Sequence, residues 1–204
     1  MLAVLTVVVV ALGAAMVALG RASALEAISF ATGAVAVWLV VKESIWNFPI
    51  SILNTAGYSV VFFQARLYGD AALNVVYCAL GVMGWYLWRF GGDRRTPLRV
   101  TRAPRVELGL VAVAMLASAI VLWQTLHFVG GSASFWDATT TSLSLGAQWL
   151  LNRKRLENWH IWIVVDVIYI PLYASRGLHL TAGLYAIFLV MAVIGLLSWR
   201  KAAV

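Results

Sequence analysis

Apolar stretches of similar length, separated by short polar breaks, make up almost the whole chain. Each stretch is close to the roughly 20 residues that an α-helix needs to cross a bilayer, although the seventh is shorter. The pattern therefore predicts an all-α polytopic membrane protein with eight transmembrane helices. The predicted spans are residues 2–20, 24–41, 45–64, 70–90, 106–129, 134–152, 160–176 and 179–199.

The composition supports this prediction and narrows the chemistry. Of the 204 residues, 63% are hydrophobic and 11% are charged, whereas soluble domains carry roughly 25% charged residues. Cys78 is the single cysteine, which excludes an internal disulfide and a multi-cysteine metal site. The three histidines have no ligand spacing, so we expect no metal and no cofactor. Residues 1–20 lack the basic start of a signal peptide, and we expect a retained helix, with cleavage near Ala24 as the alternative.

The net charge of +7 is explained by the distribution of basic residues across the membrane rather than by a nucleic-acid-binding surface. With the amino terminus in the cytoplasm, the three basic residues on the outer breaks are Arg21, Arg66 and Arg176. The other twelve lie on the inner breaks and the carboxyl end, at Lys42, Arg89, Arg94, Arg95, Arg99, Arg102, Arg105, Arg153, Lys154, Arg155, Arg200 and Lys201. Because inner loops are normally the positive ones, both termini are predicted to be cytoplasmic. The expected contacts of these charges are membrane lipids, and no nucleic-acid partner is expected.

The chain contains an internal repeat, in which residues 26–89 align with residues 137–200 without a gap. The two segments share 15 identities over 64 positions. The pairs that chance explains least are Trp38/Trp149, Asn47/Asn158, Tyr58/Tyr169, Gly84/Gly195, Trp88/Trp199 and Arg89/Arg200. Equivalent helices are four crossings apart and run in the same direction, which predicts a parallel repeat.

The repeat divides the chain into five parts. They are an additional N-terminal helix (1–20), a first three-helix repeat (24–90), a basic cytoplasmic loop (91–105), a linker helix (106–129) and a second three-helix repeat (134–200). In transporters built from such repeats, the substrate site lies between the repeats near the middle of the membrane.

Asp166 is a lone carboxylate inside the apolar segment 160–176. Spacings of three and four residues put it on one helical face with Trp159, Trp162, Tyr169 and Tyr173. An ionisable residue at this depth usually faces a bundle interior or a wet cavity. The face predicts a site for a cationic, aromatic ligand; a protonated carboxyl bonded between helices is the alternative, and Trp159 also fits an interfacial anchor.

Two further helices carry polar faces. The spacing of four, three and four places Asn47, Ser51, Asn54 and Tyr58 on one face, and Asp137, Thr141, Ser144 and Gln148 on another. Small polar residues also serve close helix packing, but three polar faces exceed what packing needs. Most other tryptophans fall at span ends and are expected to form an inner aromatic belt, at Trp38, Trp46, Trp85, Trp88, Trp149 and Trp199.

Several segments resemble the PnuC family of vitamin transporters. They are residues 46–49, 62–68, 84–88, 135–137 and 153–168. The resemblance implies uptake of nicotinamide riboside, the three-plus-one-plus-three helix arrangement of the SWEET transporters and a homotrimer. Members of the family also carry thiamine, riboflavin or deoxynucleosides, so the resemblance alone leaves the vitamin open.

Some family members have Asn where this chain has Asp166, and a carboxylate favours a cation. A pyridinium over an aromatic face gains about 2 kcal/mol when desolvated. We therefore rank nicotinamide riboside first, thiamine second and riboflavin third.

The chain lacks a phosphate-binding loop for ATP, so facilitated diffusion with intracellular phosphorylation is expected, and proton coupling is the alternative. An intramembrane enzyme is a remote alternative, because the sequence does not contain the spacing of nucleophile and base that such an enzyme needs. A structural membrane subunit is a third alternative, and it predicts that the polar faces bind no ligand.

Overall fold

The computed structural model describes residues 24–64, 68–128, 134–175 and 179–203. The first predicted span, 2–20, lies outside the described residues. Within them the chain forms seven α-helices, whose bounds agree with the predicted spans to within a few residues. They are α1 (Ala24–Val41), α2 (Asn47–Gln64), α3 (Tyr68–Phe90), α4 (Arg105–Phe128), α5 (Ser134–Asn152), α6 (Asn158–Ser175) and α7 (His179–Ala202).

Six of these helices close into a ring. Helix α1 packs against α2 and α7, α3 packs against α2 and α5, and α6 packs between α5 and α7. Helix α4, the predicted linker, packs against α5. The repeat alignment makes α1 equivalent to α5 and α3 equivalent to α7. The two contacts between the helix groups, α1 with α7 and α3 with α5, are therefore equivalent to each other. A central space is therefore left between the group α1–α3 and the group α5–α7.

By length and apolar composition, two of the described helices could cross a bilayer, at Arg105–Thr125 and Ala182–Ala202. Large apolar side chains are exposed on the outside of the ring, including Leu53 at 77% and Val190 at 59%. Apolar surface of this extent is what a lipid-facing helix presents. The number of eight spans remains a prediction.

The turns before α2 and α6 have the same structure at equivalent positions. Glu43 and Lys154 both have left-handed backbone, with φ of 54° and 50°. Asn47 and Asn158 begin the two helices, and each side-chain amide donates to the carbonyl oxygen three residues earlier. Each of these carbonyls also accepts from the backbone N–H of the same asparagine, at 3.2 Å in both turns, so the side chain adds a second bond to the same oxygen. Both turns therefore fold by the same local interactions.

Two tryptophans tie the groups together in the same reciprocal way. The Trp88 indole N–H donates to the Leu151 carbonyl at 3.1 Å, and the Trp199 indole N–H donates to the Val40 carbonyl at 3.2 Å. The repeat alignment pairs Trp88 with Trp199 and Leu151 with Val40, so the two hydrogen bonds are equivalent. The two rings also meet, with centroids 5.9 Å apart. Since equivalent residues touch one another here, the repeat axis would pass between them.

The expected inner aromatic belt is wrong for three of its members. Trp38 and Trp88 are 3% exposed and Trp199 is fully buried, so these rings form the core instead of facing lipid. Trp46 and Trp85 are exposed, as an interfacial residue would be. A tryptophan near a helix end can point either way, and the span pattern alone does not reveal its direction.

The basic loop 91–104 is partly fixed against the turn before α6. The Thr101 N–H donates to the Lys154 carbonyl, and the Thr101 carbonyl accepts from the Leu156 N–H, at 3.1 and 3.0 Å. Val100 beside it is 1% exposed. The loop thus connects the first group to the second by backbone hydrogen bonds, in addition to carrying charge.

Two equivalent glycines allow close helix contacts. A methyl group at Gly84 would overlap the Phe48 ring, and one at Gly195 would overlap the Trp159 ring. Overpacking a tight contact costs roughly 1–3 kcal/mol. We expect Gly84→Ala and Gly195→Ala each to lower the free energy of unfolding by about that amount, measured by thermal unfolding in detergent. Gly109→Ala, with open space around the new methyl group, is the control, and equal behaviour of all three variants would contradict the close contacts.

Candidate functional site

A cavity of about 470 Å³ occupies the space between the two helix groups. All six helices of the ring contribute side chains to it. Nine of the twelve predicted site residues line the cavity, namely Asn47, Ser51, Thr141, Ser144, Gln148, Trp159, Trp162, Asp166 and Tyr169. The face of α6, with its acid and rings, therefore opposes polar side chains of α2 and α5 across one hollow.

Asp166 is 3% exposed and lines this cavity. The ion pairs in the described part of the chain use Glu43 and Glu107, and the hydrogen bonds identified there do not include the Asp166 carboxyl. Withdrawing a carboxylate from water without a partner is costly. The arrangement favours a cationic ligand that would supply the missing partner.

Aromatic rings surround the acid. Trp162 and Tyr169, about one turn before and after Asp166, line the cavity with it. Tyr185 of α7 also lines the cavity, and its ring lies 4.6 Å from that of Tyr169. Tyr173 stacks on both tyrosines at 5.2 Å but is not part of the cavity wall. The rings offer faces on which a flat cation gains electrostatic attraction.

The opposite wall is polar, and some of its polar side chains already form hydrogen bonds within the protein. Thr55 lines the cavity and donates to the Ser51 carbonyl at 2.9 Å. Tyr77 of α3 and Ser144 of α5 also line it. Gln148 of α5 donates to Asn152 at 2.9 Å. Hydroxyl and amide groups on this wall suit the sugar of a nucleoside-like ligand.

The two remaining predicted site residues are not among the described residues of the wall. Asn54 is not part of it, because its amide donates to Thr32 of α1 at 2.7 Å and bridges two helices. The side chain of Tyr58 lies outside the described part of the chain. Sequence reasoning also missed several residues that do line the cavity, among them Thr55, Tyr77, Tyr185 and Phe188.

Trp159 is a wall residue and not an interfacial anchor. It is 2% exposed, and its ring meets the Trp199 ring edge-on at 5.4 Å. Its indole N–H finds no acceptor among the residues that the structure describes. A buried donor without a partner is uncommon; this nitrogen belongs to a residue of the cavity wall but is itself enclosed by the packing around the ring.

Aromatic rings pack together at the end of the cavity where the two equivalent turns lie. Phe48 and Trp159 line it at that end and pack on Trp88 and Trp199. Lys154 lies beside this cluster, with its ammonium 4.5 Å from the Trp88 ring centroid and 2.9 Å from Glu43. Because Glu43 and Lys154 occupy equivalent positions in the two helix groups, their ion pair joins the groups directly.

Comparison with known proteins gives a consistent set of relatives. The family model described as nicotinamide mononucleotide transporter matches residues 23–201. The nicotinamide riboside transporter PnuC of Escherichia coli (strain K12) is 27% identical, with 88% of this chain and 86% of that protein covered. The riboflavin/roseoflavin transporter RibM of Streptomyces davaonensis is 25% identical, with 82% and 80% covered.

A solved structure is also similar. The crystal structure of the vitamin B3 transporter PnuC superposes with a TM-score of 0.77 at 26% identity, and the match covers 98% of this chain and 91% of that one. The likeness therefore extends over the whole helix ring.

Proposed function

This chain belongs to the nicotinamide mononucleotide transporter family, the PnuC family, and on that premise we propose that it carries nicotinamide riboside into the cell by facilitated diffusion. The observation that carries the proposal is Asp166, a buried carboxylate without a cationic partner among the described residues, on a cavity wall flanked by aromatic rings. A pyridinium nucleoside fits both properties. Its ring would pair with Asp166, and its sugar would face the hydroxyls and amides of α2 and α5.

The proposed substrate-binding residues are the nine predicted ones that line the cavity, together with Thr55, Tyr77 and Tyr185. Thiamine is the second candidate, because its thiazolium ring is also a flat cation. Riboflavin, which the relative RibM is named for, is third, since a neutral ring leaves Asp166 unpaired. The carboxylate is thus the feature that orders the three vitamins.

Purified protein titrated with each vitamin tests this order. We expect nicotinamide riboside to raise the unfolding temperature most, thiamine less and riboflavin least. At equal concentration, the ligand that binds most tightly stabilises the folded state most. Nicotinamide, which lacks both the charge and the sugar, is the control ligand. A larger shift with riboflavin than with nicotinamide riboside would reverse the proposed assignment.

The proposed energy source is phosphorylation of the substrate inside the cell. The alternative is proton coupling through Asp166, because buried carboxylates also serve proton relays. Uptake into vesicles with and without a proton gradient separates the two. Facilitated diffusion predicts equal initial rates and accumulation only when a nucleoside kinase and ATP are enclosed; faster uptake with an inward proton gradient would favour coupling.

Access to the cavity would alternate as the group α1–α3 rocks against the group α5–α7. The recurring turns and the reciprocal tryptophan bonds support two like-built halves that move as units. The ion pair and aromatic cluster described above would open in the opposite state. We place the protein in the inner membrane with both termini in the cytoplasm, and the homotrimer that the resemblance implies remains part of this proposal.

A further inference from the structure

Asn152 connects a cavity residue of one helix group to the backbone of the other group. It is fully buried, at the end of α5, and is not a wall residue. Its amide N–H donates to the Leu80 carbonyl of α3 at 2.8 Å, and its amide oxygen accepts from Gln148 at 2.9 Å. Asn152 approaches α3 at Gly84, where a side chain would overlap its amide oxygen.

The backbone carbonyl determines the orientation of both amides. A carbonyl oxygen only accepts, so Asn152 must turn its NH₂ group toward Leu80. Its oxygen then points the other way and requires a donor, which the NH₂ group of Gln148 provides. The Gln148 oxygen is left without a partner in this pair, so Gln148 keeps an acceptor for the cavity, beside the second N–H of its NH₂ group.

The corresponding positions of the first helix group show that packing does not require this arrangement. The repeat alignment pairs Gln148 with Val37 and Asn152 with Val41, and both valines are accommodated in α1. Buried amides that helix packing does not need carry a desolvation cost. Their presence on one side of the cavity alone indicates a role toward a ligand that is itself asymmetric.

We infer that Asn152 is a positioning residue that fixes Gln148 with its carbonyl oxygen toward the cavity, where it accepts a hydrogen bond from a sugar hydroxyl of the ligand. The inference rests on the proposed function, because it takes the ligand to be a nucleoside with a ribose. It adds a specificity element: a ligand without a hydroxyl donor at that point leaves the acceptor unpaired, and unpaired buried acceptors are costly.

The test measures affinity for nicotinamide riboside and its 2′,3′-dideoxy analogue by calorimetry. Wild-type protein should bind the analogue at least about tenfold more weakly, whereas Gln148→Leu should lose about tenfold for the riboside and bind the two alike. Asn152→Leu should lose about as much as Gln148→Leu, and the double variant should lose no more than either. Asn152→Asp keeps an acceptor for Gln148 and, as the neutral acid that full burial favours, an O–H donor for the Leu80 carbonyl, so it should lose less affinity than Asn152→Leu.

The outcomes separate the possible failures. Riboside that does not bind wild-type protein overturns the proposed function, and this assignment with it. Two results overturn the positioning role alone, provided that wild-type protein binds the riboside. In the first, Asn152→Leu and Asn152→Asp are equally impaired; in the second, the losses of Asn152→Leu and Gln148→Leu add up in the double variant. Should Asn152→Leu fail to fold, the comparison of Gln148→Leu with wild type against both ligands still decides whether Gln148 contacts the sugar.

Discussion

Asp166→Asn is expected to weaken nicotinamide riboside binding by about 30-fold or more. Removing one member of a desolvated charge pair costs at least about 2 kcal/mol, and about 1.4 kcal/mol corresponds to a factor of ten. The same substitution should stabilise the ligand-free protein, since it removes a carboxylate that is 3% exposed and has no cationic partner in the described part of the chain. Uptake by vesicles and thermal unfolding without ligand measure the two effects.

The prediction is distinctive because the same substitution lowers the affinity for the riboside and raises the stability of the ligand-free protein. A residue that mattered only for folding would lose stability and transport together. Asp93→Asn removes an exposed carboxylate from the loop after α3 and is the matched control, expected to change neither quantity. A variant of Asp166 that transports the riboside at the wild-type rate would show that the charge is not used.

Glu43→Gln is expected to destabilise the protein by about 2 kcal/mol, less than the loss of a fully buried ion-pair partner because water reaches part of this pair. Lys154→Met should cost much less. The Lys154 side chain is 9% exposed and that of Glu43 is 31% exposed. Glu43→Gln leaves a buried ammonium without an anion, with the Trp88 ring still beside it, which is the costly case, whereas loss of Lys154 leaves a carboxylate that water can reach. Thermal unfolding of the two single variants gives the order directly, and equal losses would contradict it.

The same pair lies beside the aromatic cluster at one end of the cavity, which is the cytoplasmic end in the proposed orientation, so its loss should also change access. Val40, 7% exposed, lines the cavity at that end and can carry a reporter. In a Cys78→Ser background, Val40→Cys should react faster with an impermeant maleimide applied from the cytoplasmic side when Glu43→Gln is added. An unchanged labelling rate would mean that the ion pair does not hold this end closed.

The helices could be predicted from sequence because membrane helices need apolar segments of one length. Where the segments end is set by polar residues that are visible in the sequence, and the start of α2 differs from its prediction by two residues. The acid on α6 was recognisable for a similar reason, because a carboxylate among apolar residues must have a wet or paired environment.

The repeat carried more information about the site than the polar spacing did. The repeat alignment pairs the cavity residues Trp162, Asp166 and Tyr169 with Ser51, Thr55 and Tyr58. It therefore selects Thr55, a wall residue, where the spacing selected Asn54. Four-residue and three-residue steps are equally allowed on a helix face, so the spacing alone could not choose between adjacent positions.

Two kinds of residue had no sequence signal. Tyr77 and Tyr185 lie in largely apolar stretches, where a tyrosine is expected to pack in the core, and only the folded ring brings them to the cavity. The Asn152 amide likewise depends on the approach of α3, which Gly84 permits. Contacts between helices far apart in the chain were not available from any single helical face.

The most direct test of the charge-selective cavity compares nicotinamide riboside with its dihydro form, which has the same sugar and carboxamide but no charge on the ring. Calorimetric titration of wild-type protein should show the charged form binding at least about tenfold more tightly, and Asp166→Asn should abolish that preference. Equal affinity of wild-type protein for the two forms, or a preference that survives Asp166→Asn, would contradict a cavity that selects its ligand by charge.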